Sequence, residues 1–192
     1  MLNMVEHETA RIESRFLEPA CGDGNFLIQI LEKKFETIRT RTPANSLRYS
    51  RAIFLALTTL YGIDIIQNNV ERCRQRLLER CNREYRHILR ADSPELSNSL
   101  EVVLGLNIVH GDALRLTRAD SNEAITFSEW TFVEGSNIIR RDYEFLTLLE
   151  NQPIHGKNLF SDLGYDAFIP QPIKDFPPVH FLSLGTTKDW EI

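Results

Sequence analysis

The stretch Phe16-Leu17-Glu18-Pro19-Ala20-Cys21-Gly22-Asp23-Gly24-Asn25-Phe26 decides how this chain is read. A short apolar run ending in an acid reads as a β-strand, and Pro19 to Gly24 reads as a tight glycine turn. Beyond it, Phe26, Leu27, Ile30 and Leu31 recur at helical spacing, while Glu32, Lys33, Lys34 and Glu36 fill the other faces. The unit is therefore strand, glycine turn, helix. Upstream, Met1, Leu2, Val5 and Ile12 stand among acids and read as the end of a preceding helix.

The same alternation continues downstream. Thr42 as cap and Pro43 at the first helical position predict a helix to about Leu60, with Gly62 just beyond it. Tyr61-Gly62-Ile63-Asp64-Ile65 reads as a short buried strand carrying an acid. Asn68 or Asn69 can cap the next helix, in which Val70, Cys73, Leu77, Cys81, Tyr85 and Ile88 share a face. Pro94 interrupts, a short helix runs to Gly105, and Leu106 to His110 makes a third strand with Gly111-Asp112 at its end. Strands alternating with helices predict an α/β fold with a doubly wound, mostly parallel sheet.

Past residue 120 the pattern changes. Ile125 to Val133 alternates in hydrophobicity, Glu134-Gly135-Ser136-Asn137 is a turn, and a hairpin into Ile138-Ile139 follows. Residues 142–150 read as a short helix. The last forty residues hold five prolines and no long periodic segment. The expected organisation is an α/β core over 1–120, with a hairpin and proline-containing extension over 121–192 packed on the same domain.

Composition limits the function classes. The chain has 192 residues, of which 42% are hydrophobic and 26% charged, ordinary values for a globular protein. No apolar run approaches the ~20 residues of a membrane span, and the acidic N-terminus does not suit a signal peptide. Cys21, Cys73 and Cys81 form no C-x-x-C pair. That argues against a disulfide framework or a zinc site and for a reduced, cytoplasmic protein. A net charge of −5 weighs against strong nonspecific DNA binding, which needs clustered Lys and Arg.

In an open parallel sheet, ligands bind where strands end and helices begin. Three such ends carry Glu18 with Gly22 and Gly24, then Asp64, then Asp112. The glycines admit close backbone approach, a carboxylate can accept both hydroxyls of a ribose, and another can accept from an exocyclic amine. A dinucleotide site fits less well, because its third glycine would fall at Leu27 and its acid should follow about 20 residues on.

Taken together, these segments are specific. Phe16 to Phe26 resembles the first motif of the amino-group DNA methyltransferases, above all the N6-adenine enzymes of restriction–modification systems. Tyr61-Gly62-Ile63-Asp64 with Asn69-Val70 resembles their second motif, and Asn107 to Leu114 their third. The resemblance covers roughly residues 14–116, in the family's order. It implies a Rossmann-like domain that binds S-adenosylmethionine. Glu18, Pro19 and the Ala20-Cys21-Gly22-Asp23-Gly24 backbone, followed by Phe26, would hold the methionine part. Asp64 would hold the ribose, Asp112 with Ala113 the adenine amine, and Ile65 and Leu114 would flank the adenine ring. DNA is the implied partner, directly or through a second subunit.

The family's catalytic tetrapeptide, [Asn/Asp/Ser]-Pro-Pro-[Tyr/Phe/Trp], is not found, so the catalytic residues are unknown. In Asp175-Phe176-Pro177-Pro178-Val179 the acid is separated from the prolines and a valine replaces the aromatic residue, which reads as a packed turn. Two functions therefore compete: methyl transfer to adenine N6 in DNA, and a cofactor- or partner-binding subunit without its own catalysis. Methylation of RNA or a small molecule is a third.

Each candidate also has an ordinary role. Glu18 can bond the following helix, Asp64 can cap one, and Gly-Asp at 111–112 is a common turn. Cys21 suits packing in the turn better than nucleophilic attack, and His110 at a strand end reads as structural. Arg72, Arg74, Arg76, Arg80, Arg83, Arg86 and Arg90 make one helix basic, but the interleaved Glu71, Glu79 and Glu84 favour a solvated or partner-facing helix over a DNA face. Phe127, Trp130 and Phe132 could stack bases, although Phe127 and Phe132 fall on opposite strand faces.

Overall fold

A computed structural model describes residues 11–150 and 171–187. The expected end of a helix over residues 1–12 lies almost wholly outside the described residues, as do 151–170 of the extension. β1 (Phe16–Glu18) leads through the glycine turn into α1 (Asn25–Arg41), then α2 (Ser46–Thr58) and β2 (Leu60–Asp64). α3 (Gln67–Leu89) and α4 (Pro94–Asn107) precede β3 (Ile108–Asp112), which turns back into the two-residue β4 (Thr117–Arg118).

The first sheet has the order β1-β2-β3-β4, with β1, β2 and β3 parallel and β4 antiparallel. This is a mixed, mostly parallel sheet in an α/β fold. Alternation along the strands separates two faces. Leu60 and Ile108 join the core built by α1 to α4, whereas Tyr61, Ile63 and Val109 pack with Ile125, Phe127 and Phe145. The four helices thus contribute to one face of the sheet. The second half that a doubly wound sheet needs is not among the described residues.

Several boundaries differ from expectation for local reasons. Asn45, not Thr42, caps α2, its side chain accepting from the Arg48 amide, so Pro43 stays outside the helix. α3 starts at Gln67, ahead of both asparagines, with no side-chain cap. Ser93 caps α4 and Pro94 occupies its first turn, so the proline opens the helix and does not merely interrupt. α4 runs two residues past Gly105, to Asn107, whose buried amide donates to the Thr58 and Leu60 carbonyls and accepts from the Trp130 indole.

The hairpin is longer than expected. β5 (Thr126–Phe132) pairs with β6 (Asn137–Glu144), and the short helix α5 (Phe145–Glu150) begins only after it, not at 142. Arg140 and Asp142 are buried in β6, joined to each other at 2.7 Å and to the Ser128 hydroxyl. β7 (Lys174–Asp175) and β8 (Val179–His180) add to β6, and a 3-10 turn over Phe181–Thr186 packs on α4. Pro177-Pro178 links these two short strands. Phe176 is buried against the Arg140 guanidinium, but Pro177 and Pro178 are themselves exposed, so the double proline is an exposed connection anchored by its neighbour and not a packed turn. Among the described residues, no helix is long and apolar enough to cross a membrane, and no cluster of His, Cys, Asp or Glu could hold a metal ion.

Candidate functional site

Because β1, β2 and β3 are parallel neighbours, their C-terminal ends lie side by side. The turn after Glu18, Asp64 with Ile65, and Asp112 with Ala113 and Leu114 are thereby brought to one edge. This is the edge where open α/β sheets bind ligands.

The glycine turn is tied down from beneath. The Cys21 amide donates to the Ile63 carbonyl at 2.9 Å, and Gly24 closes the turn onto the Cys21 carbonyl. Gly22 and Gly24 have φ of 54° and 87°, the left-handed region that glycine occupies without steric cost. At Gly24 a side chain would also collide, since a Cβ there would lie 2.7 Å from Cys73 Sγ. Cys21 is buried, its thiol directed at the Gly22 carbonyl, and Cys73 and Cys81 are buried as well. A neighbouring thiol and burial push the Cys73 pKa up, and burial does the same for Cys81. The nucleophile reading of Cys21 has no general base among its hydrogen-bond partners; packing explains the residue.

Asp64 has a structural job that the sequence did not reveal. One carboxylate oxygen accepts from the Gly22 amide at 2.9 Å. The other accepts from the Ile66 amide at 2.8 Å and the Asn69 side chain at 3.2 Å. The residue clasps the glycine turn to the β2–α3 loop, which leaves fewer lone pairs for ligand hydroxyls. Asp112 likewise accepts from the Leu114 and Arg115 amides, the ordinary Asx turn. His110 is structural, its ring paired with the Ile65 carbonyl at 3.0 Å.

The apolar neighbours are less self-contained. Ile65 is 57% exposed and Leu114 96% exposed, with Ile66 at 55%, at the rim beside the two carboxylates. Large aliphatic side chains held in water at a strand-end edge are an available apolar surface. Pro19 and Ala20 are exposed and Glu18 half-buried, whereas Phe26 packs partly into the helical core and contributes little to that rim.

The basic helix is mostly accounted for. Arg74 donates to the Gly105 and Ile108 carbonyls, Arg76 binds Asp23, Arg80 bridges Glu32 and Glu84, and Arg86 binds Asp92. Arg76 therefore steadies the glycine turn from α3. Phe127 and Trp130 are buried and Phe132 packs against the core, so the aromatic residues of β5 are not a base-stacking platform.

One cleft was not anticipated. It lies beside β1, between Arg15, Phe16 and Leu17, the β5–β6 hairpin, and Leu148 and Leu149 of α5. Its residues are spread over 134 positions of sequence, so no local pattern could have shown it. Compared with family models, curated proteins and solved structures, the chain matches none of them.

Proposed function

We propose that this chain is the S-adenosylmethionine-binding part of a DNA adenine methyltransferase. One observation carries the reading: Glu18 with its glycine turn, Asp64 and Asp112 sit at the C-terminal ends of three adjacent parallel strands. The exposed Ile65 and Leu114 supply two apolar sides for an aromatic ring between those carboxylates. The transfer itself is an in-line displacement at the sulfonium methyl, helped mainly by positioning. In this reading the chain's residues bind and orient the donor, while the acceptor side awaits an equivalent of the missing tetrapeptide.

A second reading is a binding subunit without its own catalysis. It is favoured by the Pro177-Pro178 pair lying between two short strands on β6, away from an Asn-Pro-Pro-Tyr-like arrangement. Thermal unfolding with and without S-adenosylmethionine and its demethylated product tests the cofactor site. Ligand at 100 times its dissociation constant adds about 2.7 kcal/mol. A raised midpoint supports the cofactor site, and methyl transfer to DNA by the pure chain then separates enzyme from binding subunit. No shift with either compound sinks the cofactor site in this chain and puts the partner-binding subunit in the lead.

A further inference from the structure

The cleft beside β1 has a volume of about 420 Å³, within the range of roughly 300–1,000 Å³ typical of small-ligand sites. Arg15, which stands just ahead of β1, lines it, whereas the glycine turn follows the other end of that strand. None of the residues named for the cofactor lines this cleft. One wall is aromatic: Tyr61, Phe127 and Phe145 pack edge to face, with successive ring centroids 5.2 Å apart. Leu149 of α5 also lines the cleft and is 46% exposed.

Two opposite charges stand against this apolar space. Arg15 and Glu129 form an ion pair, and the second Glu129 oxygen accepts the Tyr143 hydroxyl at 3.2 Å. Neither charge is used up. A guanidinium carries several N–H donors and each carboxylate oxygen has more than one acceptor site. The Arg15 side chain is 59% exposed and that of Glu129 24%. An ion pair this wet contributes little to folding, and it keeps donors and acceptors turned to the solvent that fills the cleft. The cleft therefore offers an apolar wall together with one cation and one anion, side by side.

We propose that this cleft binds a free α-amino acid with a large aromatic side chain. The ligand carboxylate accepts from the Arg15 guanidinium, its ammonium donates to the Glu129 carboxylate, and its ring lies on the aromatic wall. Charge balance selects the class. A zwitterion laid antiparallel to the ion pair meets each protein charge with its opposite. An amine without a carboxylate brings a second cation beside Arg15, and an acid without an amine brings a second anion beside Glu129. An uncharged ring removes water from both protein charges and returns no partner to either. The wall adds edge-to-face contacts that an aliphatic side chain of the same size cannot make. The site does not depend on the cofactor reading.

Calorimetric titration of the whole chain with L-phenylalanine, phenethylamine, 3-phenylpropionate and L-alanine tests this. The titrations are repeated with excess S-adenosylhomocysteine, and melting curves check the fold of each variant. Saturable phenylalanine binding is expected, at least tenfold tighter than that of the other three and unchanged by S-adenosylhomocysteine. Glu129→Gln removes the anion and frees Arg15. It should weaken phenylalanine at least tenfold and strengthen 3-phenylpropionate, a reversal that mere loss of structure does not produce. Arg15→Gln, at an exposed position, should do the converse and favour phenethylamine. The proposal is overturned by absent phenylalanine binding or by equal binding of any of the other three. It is equally overturned if a folded variant keeps the wild-type preference, or if S-adenosylhomocysteine displaces phenylalanine. Displacement would move the amino acid to the strand ends.

Discussion

Asp64 accepts three hydrogen bonds, from Gly22, Ile66 and Asn69, and this gives it a role with or without a ligand. Hydrogen bonds to a charged group contribute roughly 1.5–3 kcal/mol when deletion strands their partners. Two of the three donors are backbone amides in partly solvated loops, so Asp64→Ala is expected to cost about 2 kcal/mol in urea unfolding. A variant as stable as wild type would dismiss the clasp. Each melting comparison with ligand must accordingly use the variant's own ligand-free midpoint. Gly24 makes a second prediction at this scale. Gly24→Ala places a Cβ 2.7 Å from Cys73 Sγ on a backbone with φ of 87°. It should cost about 2 kcal/mol or more, from strain and overlap together. Cys73→Ala removes the overlapping sulfur but not the strain, so the double variant should fall short of additivity. Strictly additive costs would show that the sulfur is not the obstacle. The glycine turn was legible because Gly-x-Gly after an apolar run has few other uses. Its clasp was not, because Gly22 and Asp64 are 42 positions apart.

β6 shows where periodicity misleads at the level of an element. Asn137-Ile-Ile-Arg-Arg-Asp-Tyr-Glu144 breaks alternation with three successive charges at 140–142, so the pattern reads as a helix from 142, yet it is the longest strand among the described residues. What hydropathy cannot see is that Arg140 and Asp142, on one face, neutralise each other while buried, with Ser128 across the hairpin. Breaking such a pair leaves a buried charge alone, at a cost of roughly 3–5 kcal/mol, whereas replacing both partners by apolar residues is often tolerated. Asp142→Ala should therefore destabilise the chain by about that amount, and Arg140→Met with Asp142→Val should recover most of it. Equal losses in the single and double variants would mean that the hairpin needs the charges themselves. The parallel strands were legible for the opposite reason. β2 and β3 are buried apolar runs bounded by glycine and an acid, and burial on both faces removes the ambiguity of alternation.

Across the whole molecule, a single buried lysine joins the start of the described chain to the helices and to the sheet. Lys34 of α1 is fully buried, and its ammonium donates to the carbonyls of Ile12 and Ser14 at 2.7 Å, to that of Arg11 at 3.3 Å, and to the Thr59 hydroxyl at 2.9 Å. The sequence offered it only as a polar-face residue, since no local pattern signals a cage built from residues 20 or more positions away. Burial lowers its pKa from 10.5 to about 7, against a smaller opposing pull from Glu13. The unfolded chain holds the same proton up to about pH 10.4. Below about pH 7 both states are protonated and the folded state bears the full cost of the buried charge. Between pH 7 and 10 the folded state releases the proton while the unfolded state retains it, so stability from this group rises with pH. The slope cannot exceed about 1.4 kcal/mol per pH unit, and four acceptors that favour the charged form hold it lower. Lys34→Met removes the titration, though it strands the carbonyls and lowers stability overall. The informative quantity is therefore the difference between wild type and variant, measured by urea unfolding from pH 6 to pH 10. That difference should be flat below pH 7 and grow in favour of wild type above it. Curves that stay parallel across the range would mean that the cage keeps its lysine charged throughout.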